Sequence, residues 1–426
     1  MTSPVTELPS SPGGTRLIPR AACLVACVAF SLHFFLWAPR LTYGFAMYYT
    51  FARLALQGES LDRAYDDAYF QAKLREFGFD LRDEPNNIPT AGLAFMPVAW
   101  LPPTAARIAW SCISLASLAY ALVLLFGISG IRAAGNTGMW LLTLVFLWKP
   151  AYDTVAFGQV YFLLLLLFAL SMKGLMRDRV AGTSVPLSLA FLVKGYGIVP
   201  ALLLALRRRW KEFGLAVAVT AGIIVATLPL FGIQAWSGFL STVLPSLGNS
   251  PSSAHVAYQT INGFLRHFFT FDPVWAPHPL IVLPGAAVTV LSYGISTAAV
   301  ILVLFRSRLG RGPDTFLSFG TALAAGVVTA PMAEEYHFVL FIPLIFALAA
   351  GFETPGRAGA WKTYGTLMAA LAVLLMAAPL HYKGLQDSPF PVGLLAYPKL
   401  YSGLALLIYS CGVLKRSEPG AGHAAG

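Results

Sequence analysis

The sequence predicts an all-α polytopic membrane protein. Of its 426 residues, 57% are hydrophobic and 11% are charged, whereas about a quarter of the residues in a typical soluble domain are charged. Several long stretches contain no Asp, Glu, Lys or Arg, among them 21–38, 215–231, 281–305 and 363–380. About 20 apolar residues are enough for one helix to cross the hydrocarbon core, where a helix satisfies its own backbone hydrogen bonds.

We expect about 12 transmembrane or half-membrane helices in a single integral-membrane domain, residues 17–414. The expected spans are 17–38, 103–129, 138–150, 156–172, 182–193, 196–206, 212–231, 281–305, 314–331, 337–352, 363–380 and 395–414. Two large loops, 39–102 and 232–279, connect spans on the outer face. The segment 1–16, rich in Pro, Ser and Gly, is expected to be a disordered cytoplasmic tail, and 415–426 a second cytoplasmic tail.

The basic residues predict the orientation of this domain. With the N-terminus inside, 17 of the 29 Lys and Arg residues fall in the inner tails and connections, as the positive-inside rule requires. The net charge of +10 is explained by anionic headgroups, not by a nucleic acid partner. We expect location in the cell inner (plasma) membrane, with both termini cytoplasmic. The first apolar run is interpreted as an uncleaved anchor, with a cleaved signal peptide as the alternative.

Two polar breaks interrupt the apolar runs. Residues 182–206 are long enough for one span, yet basic clusters flank both ends. We therefore expect two short helices that turn at 194–197, where two glycines suit a turn. The segment 138–172 has a similar break at 149–153, where Pro150 is expected to end a helix. Short paired helices with polar tips near the outer leaflet indicate a cavity.

Lys194 lies in an apolar setting at the first of these breaks. An intramembrane lysine is costly and usually functional, so we interpret it as a cation for an anionic lipid headgroup. Tyr196 stands beside it at the interface as a second binding residue. The alternative is a lysine that snorkels to the interface and only marks it.

Asp153 and Gln159 lie at the opening of the span after the second break. A carboxylate there is suited to act as a general base or to orient an acceptor hydroxyl group. Gln159 lies further into the apolar helix and is a substrate-binding candidate. For Asp153 the alternative is an ordinary solvated loop acid or a helix cap.

Glu334, Glu335 and His337 lie between two apolar spans at the outer face. Acids beside a histidine provide a proton acceptor and a hydrogen-bonding partner in one place, so these three residues join Asp153 as catalytic candidates. A polar turn is the alternative. Two adjacent acids and one histidine are not a sufficient metal signature, and the four cysteines lie within apolar runs as small buried residues. We expect neither a metal nor a cofactor.

The second outer loop contributes two substrate-binding candidates, Asn262 and Arg266. Their spacing of four, shared with Tyr258, places all three on one face of a helix. No repeat period and no nucleotide-binding glycine loop is found.

The first outer loop contributes Tyr48 as a substrate-binding candidate. Its acids Asp62, Asp66 and Asp67 are only weak candidates for a functional role, because amphipathic interfacial helices explain most polar residues of this loop.

Several motifs follow one another in an order that is informative as a set. They are Tyr48-Tyr49, Ala52 to Ala55, Gln57-Gly58, Tyr65-Asp66, Pro97 to Pro102, Trp110, Gly158-Gln159-Val160, Leu192 to Tyr196, Arg208-Arg209-Trp210, Asn262 to Arg266 and Pro331 to His337. Over about residues 17–350, this order resembles glycosyltransferase family 87. That family consists of polyprenyl-phosphate-mannose-dependent mannosyltransferases with the GT-C membrane fold.

The resemblance implies a GT-C-like helical bundle and an inverting sugar transfer at the outer face. The implied partners are a polyprenyl-phosphate sugar donor, a lipid or glycan acceptor and the surrounding membrane lipids. By analogy, Lys194 would hold the donor phosphate and His337 would line the active site. In one departure, Gly44 stands where the family pattern has an Asp. Another acid then serves as the base, or the chain is catalytically altered.

Two other functions are compatible with the sequence. A transporter or flippase for a lipid-linked saccharide would favour repeated halves and polar residues near the midplane, whereas here the polar residues gather at one face. A non-catalytic relative that binds polyprenyl lipid is suggested by Gly44.

Overall fold

The structure is a computed structural model that describes residues 17–59, 61–308, 314–353 and 364–416. The predicted tail 1–16 and residues 417–426 of the predicted tail 415–426 lie outside the described residues, whereas 415 and 416 belong to the last helix. Among the described residues there is no β-strand, and the only β pairing is an isolated bridge between Asp272 and Ala276. The predicted all-α polytopic fold is confirmed.

Eighteen α-helices make up the described fold. They are α1 Leu17–Trp37, α2 Phe45–Leu56, α3 Asp67–Glu76, α4 Met96–Ala99, α5 Pro103–Ser129, α6 Asn136–Phe146, α7 Lys149–Ala156, α8 Tyr161–Met176, α9 Val180–Lys194, α10 Ile198–Leu206, α11 Trp210–Gly238, α12 Leu244–Ser246, α13 Ile261–Phe269, α14 Gly285–Ser307, α15 Asp314–Val328, α16 Ile342–Glu353, α17 Tyr364–Ala377 and α18 Pro398–Arg416.

Short helical segments of other kinds join these helices. The 3₁₀ segments are Leu61–Arg63, Pro89–Ala94, Pro251–Ala254, Glu335–Phe341, Tyr382–Leu385 and Val392–Ala396, and the π segment is Phe239–Val243.

Five helical segments of the described chain are long and apolar enough to cross a membrane. They are Leu17–Trp37, Pro103–Ser129, Trp210–Ser246, Gly285–Ser307 and Glu335–Glu353. Shorter apolar helices, including α6, α8, α9, α15 and α18, pack between and around them. All twelve predicted spans overlap helices, and the prediction for 103–129 matches α5 at both ends.

The prediction for Pro150 is wrong in one respect. Helix α6 ends at Phe146, before the proline, and Pro150 occupies the first turn of the separate helix α7. A proline fits there because the first helical N–H groups have no intrahelical partner to lose. The helix is interrupted as predicted, but Pro150 lies at the start of the following helix and not at the end of the preceding one.

The predicted break after Lys194 is confirmed. Helix α9 ends at Lys194, and Gly195 follows in the left-handed region with a φ of 71°. The N–H of Gly195 donates to the carbonyl of Phe191 at 2.7 Å, and α10 begins at Ile198. A glycine closes the helix here because it adopts positive φ without a Cβ penalty.

A buried arginine ties α5 to its neighbours. Arg107 is 1% exposed, and its guanidinium donates to the carbonyls of Arg40 at 3.0 Å and Val155 at 2.6 Å. The start of the first outer loop and the end of α7 are thereby held against one face of α5. Buried carbonyl groups that would otherwise lack partners are satisfied at the same time.

The first outer loop folds inward onto this bundle. Its predicted amphipathic stretches are helical, as α2 and α3, but α2 is almost entirely buried. The Tyr49 hydroxyl donates to the Leu101 carbonyl at 2.8 Å, and Arg53 donates to the Ala99 carbonyl at 2.9 Å. Helix α2 is thus part of the core and contributes side chains to the interior.

Gln259 joins the second outer loop to two later segments. Its amide nitrogen donates to the carbonyl of Ala396 at 2.8 Å, its amide oxygen accepts from the N–H of Lys399 at 3.0 Å, and its backbone N–H donates to the Ala333 carbonyl at 2.9 Å. Because Ala333 directly precedes Glu334, this buried glutamine positions the acidic segment relative to α18.

Candidate active site

A half-buried lysine lies where the first outer loop meets the end of α9. The Nζ of Lys194 donates to the hydroxyl of Tyr48 at 3.0 Å. It also lies 5.6 Å from the ring centroid of Tyr48 and 5.4 Å from that of Tyr161, over both ring faces. No carboxylate in the described part of the chain lies within ion-pair distance of Lys194. The ammonium is therefore available for an external anion.

Stacked aromatic rings fix the position of Tyr48. Its ring is parallel to that of Phe95 at 4.7 Å, and Phe95 stacks in turn on Trp110 at 3.9 Å. The Trp110 indole N–H donates to the carbonyl of Gly158 at 2.9 Å. The hydroxyl that contacts Lys194 is thus held by packing that reaches α5 and the residue before Gln159.

The segment 334–337 closes the other side of this site. The ring of His337 lies 4.5 Å from Tyr161 and 5.7 Å from Tyr196, both measured between centroids. His337 Nδ1 and the carbonyl oxygen of Glu334 are 3.0 Å apart. The structure therefore brings together four predicted site residues: Lys194, Tyr48, Tyr196 and His337.

Glu334 and Glu335 are adjacent in sequence but have different partners. The Glu334 carboxylate accepts from the hydroxyl of Tyr336 at 2.8 Å, and burial raises its pKa above the ordinary value. The Glu335 carboxylate pairs with the ammonium of Lys399 at 3.0 Å and accepts from the hydroxyl of Tyr382 at 3.3 Å. Glu334 belongs to the aromatic site, whereas Glu335 is bonded to the C-terminal part of the chain.

Asp153 is also paired with a lysine. Its carboxylate accepts from the ammonium of Lys149, one turn earlier on α7. The negative charge of Asp153 nevertheless acts on Glu334 and on Tyr43, which places it near the acidic segment. Its carboxylate is thus largely compensated within its own helix.

Gln159 packs directly against the first outer loop. A Cβ added at Gly44 would collide with the amide nitrogen of Gln159. The amide oxygen of Gln159 is buried and has no hydrogen-bond partner among the described residues. An unpaired buried acceptor is costly, so this oxygen is a place where a substrate donor group would be stabilising.

Asn262 and Arg266 are bonded to the scaffold of the second outer loop. The Asn262 amide donates to the carbonyls of Gly248 at 2.9 Å and Pro331 at 3.0 Å. Arg266 donates to the side chains of Asn249 and Thr289. Both side chains do lie on α13, but Tyr258 precedes that helix, so the predicted three-residue face holds for two residues.

Asp83 was not predicted from the sequence, yet it lies beside the site. One oxygen of its carboxylate accepts from the backbone N–H groups of Met47, at 3.0 Å, and Gly44. The other accepts from the N–H of Glu84 at 3.0 Å. Burial raises the pKa of Asp83 to about 7. No sequence spacing links position 83 with position 44, so only the fold reveals this contact.

Among the described residues, no group of three or more His, Cys, Asp or Glu side chains is placed to hold a metal ion. The site consists of one cation, several carboxylates and a wall of aromatic rings. Fold and site together define a polytopic membrane protein with a polar, aromatic-lined site beside the end of a short apolar helix.

The family model for glycosyltransferase family 87 matches residues 88–333. This match covers more than half of the chain, and the chain belongs to glycosyltransferase family 87. The protein is accordingly a membrane glycosyltransferase that takes a sugar donor and an acceptor. Searches of the curated proteins and of the solved structures found no match to this chain.

Proposed function

We propose that this protein transfers a sugar, mannose by family resemblance, from a polyprenyl-phosphate donor to a lipid or glycan acceptor at the outer face of the plasma membrane. The observation that carries the proposal is Lys194: an ammonium at the end of an apolar helix, held by Tyr48 and with no carboxylate at ion-pair distance in the described chain. A membrane-level cation of this kind suits a phosphate attached to a lipid chain.

The chemistry of the donor agrees with this setting. A polyprenyl chain is apolar and fits among membrane helices, whereas its phosphate needs a cation and hydrogen-bond donors. When the bond between the anomeric carbon and the phosphate oxygen breaks, negative charge grows on the phosphate. Lys194 and the hydroxyl of Tyr48 would stabilise that charge where it develops, which accelerates the reaction.

Inversion follows if transfer takes place in one displacement. The acceptor oxygen attacks the anomeric carbon, the phosphate leaves with the bonding electron pair, and the acceptor proton passes to a base. The sequence predicts catalytic roles for Asp153, Glu334, Glu335 and His337. Glu334 is the best placed of the three acids, because Glu335 and Asp153 are each paired with a lysine.

Gln159 and Tyr196 are proposed to bind substrate. The unpaired amide oxygen of Gln159 offers an acceptor for a sugar hydroxyl group, and Tyr196 presents a ring beside His337. Asn262 and Arg266 are proposed to act indirectly, because Asn262 bonds to Pro331 at the start of the segment that leads to Glu334.

The direct test uses the purified full-length protein in detergent or liposomes. Radiolabelled polyprenyl-phosphate mannose is incubated with a membrane lipid extract, and transfer of label is followed. Polyprenyl-phosphate glucose and a sugar nucleotide serve as alternative donors. We expect transfer with a polyprenyl-phosphate sugar and none with the nucleotide. Transfer from the nucleotide alone, or movement of the lipid-linked sugar across the liposome membrane without transfer, would overturn the proposal.

A further inference from the structure

The loop after α3 returns to the start of α2 and places a carboxylate there. Asp83 accepts from the N–H groups of Gly44 and Met47, the N-cap residue and the third residue of α2. An N-cap side chain normally accepts from the second or third N–H of its own helix. Gly44 has no side chain, so Asp83 supplies the carboxylate from 39 residues further along the chain.

The backbone at Gly44 explains why this acid comes from elsewhere. Gly44 has a φ of 84° and a ψ of −60°, a conformation that residues with a Cβ rarely adopt. A Cβ there would also collide with Gln159. An acid at position 44 would therefore require rearrangement of both the loop and Gln159, whereas Asp83 reaches the same N–H groups without either change.

The three hydrogen bonds leave the carboxylate with one open position. A carboxylate has about four lone-pair sites. The oxygen Oδ2 accepts from Gly44 and Met47, whereas Oδ1 accepts only from Glu84. The remaining site on Oδ1 is free to accept a proton, and the side chain of Asp83 is only partly buried.

Asp83 lies close to the cation of the site. Met47, one of its N–H partners, directly precedes Tyr48, whose hydroxyl accepts from Lys194. The charge of Asp83 acts on both Tyr48 and Lys194. The carboxylate of Asp83 and the ammonium of Lys194 thus contact neighbouring residues, Met47 and Tyr48, at the start of α2.

We propose that Asp83 is the general base that takes the proton from the acceptor hydroxyl group, and this proposal rests on the proposed function. As the acceptor oxygen bonds to the anomeric carbon, the proton of the hydroxyl group moves to Oδ1 of Asp83. The bond between the anomeric carbon and the phosphate oxygen breaks, and the phosphate keeps the electron pair beside Lys194.

The environment of Asp83 favours it over Asp153 and Glu335. Lys149 and Lys399 already pair with the carboxylates of Asp153 and Glu335. Asp83 has no cation at ion-pair distance in the described chain.

Burial outweighs the three N–H groups at Asp83 and raises its pKa to about 7, close to the working pH at which a general base is most effective. The charged or titratable groups that face it are Glu84, which raises the pKa further, and Tyr43, Tyr48 and Lys194.

The test compares Asp83→Asn with Asp80→Asn. Asparagine keeps an oxygen that accepts from the N–H groups of α2, so the loop retains its fold, but an amide is not a base. Asp80 lies in the same loop, is exposed and forms no hydrogen bond or ion pair with the residues that the structure describes. We expect Asp83→Asn to lower kcat by about 10²–10⁴-fold with donor KM within about threefold, and Asp80→Asn to behave as the parent protein.

The pH dependence provides a second readout. The parent rate should rise with pH up to about 7 as Asp83 loses its proton, and this acidic limb should be absent from the residual activity of Asp83→Asn. If Asp83 has only a structural role, Asp83→Asn should keep full activity and the acidic limb of the pH–rate profile, whereas Asp83→Ala should unfold the loop. Such a result, with an active parent, overturns the role of Asp83 alone. An inactive parent with every donor overturns the proposed function and this inference together.

Discussion

At the scale of single residues, we expect the charge of Lys194 to matter more for donor binding than the shape of its side chain. Hydrogen bonds to charged groups contribute about 1.5–3 kcal/mol, so Lys194→Ala should weaken donor binding by roughly 10–150-fold. Lys194→Arg should weaken it less, because the charge is kept although the geometry changes. Binding of polyprenyl phosphate to the purified variants measures the difference.

Lys211→Ala is the matched control for this comparison, because Lys211 is exposed in the first turn of α11. It removes the same side chain without touching the site. Unchanged affinity of Lys194→Ala for polyprenyl phosphate would show that the donor phosphate lies elsewhere.

The sequence was more informative about Lys194 than about Asp83, the proposed base. A lysine inside an apolar run is rare enough to be noticed without a structure, and Lys194 does meet Tyr48, Tyr196 and His337 at one place. Asp83 belongs to a polar loop in which many acids are ordinary solvated residues. Its role depends on a turn that brings it back to Gly44, and local sequence patterns carry no information about such a contact.

At the scale of single elements, the end of α9 depends on glycine. Gly195 has positive φ, and no atom lies within 4 Å of a Cβ placed on it. Gly195→Ala therefore costs only the backbone term, about 1–2 kcal/mol for a left-handed residue. We expect a lower thermal midpoint and weaker donor binding, since Lys194 is the preceding residue. Gly195→Asn should be milder, because asparagine tolerates this conformation.

Gly214→Ala tests the same substitution where no such constraint exists. Gly214 lies inside α11 with open space around its Cα. Alanine there should be neutral or stabilising by up to about 1 kcal/mol. Equal losses of stability at both positions would show that the conformation of Gly195 is not the cause.

The C-terminal helices are joined to the site by a buried ion pair. Lys399 is fully buried, contacts Glu335, and also donates to the carbonyls of Leu375 at 3.2 Å, Met376 at 3.0 Å and Ala378 at 2.6 Å, at the end of α17. Glu335→Gln leaves this ammonium uncompensated, which costs about 3–5 kcal/mol. We expect a large loss of stability, measured by thermal unfolding in detergent.

The double variant Glu335→Gln with Lys399→Met separates this structural effect from catalysis. Removing both charges should restore part of the lost stability. If Glu335 were instead the base, the double variant would regain stability without regaining turnover.

Element boundaries near prolines and glycines were only partly predictable. The alternation of apolar runs with basic clusters located a helix in each of the twelve predicted spans, because burial in lipid imposes length and composition, but only five helical segments of the described chain are long and apolar enough to cross a membrane. Pro150 was assigned to the wrong side of its break, since a proline is compatible both with the end of one helix and with the first turn of the next. Helix α2 was expected at the membrane interface, but tertiary packing on α4 and the 3₁₀ segment at Pro89–Ala94 buries it.

At the scale of the whole molecule, the helical membrane fold and the family agree with the apolar composition of the chain. The orientation of the protein in the membrane is still a prediction. The basic clusters place the connection between α10 and α11 inside and the loop 39–102 outside. The proposed chemistry depends on this arrangement, because the Lys194 site lies against that loop. A polyprenyl-phosphate sugar would then be used on the side away from the cytoplasm.

Site-specific labelling tests the orientation directly. In a variant whose four native cysteines are replaced by alanine, a single cysteine is placed at Asp80 or at Lys211, both exposed in the structure. A membrane-impermeant maleimide should label Asp80→Cys in intact cells with a permeabilised outer barrier, and Lys211→Cys only after the plasma membrane is opened. The reverse pattern would place the Lys194 site on the cytoplasmic side and would require a donor made and used there. Labelling of both positions from outside would contradict the break at Gly195 as a return of the chain to the inner face.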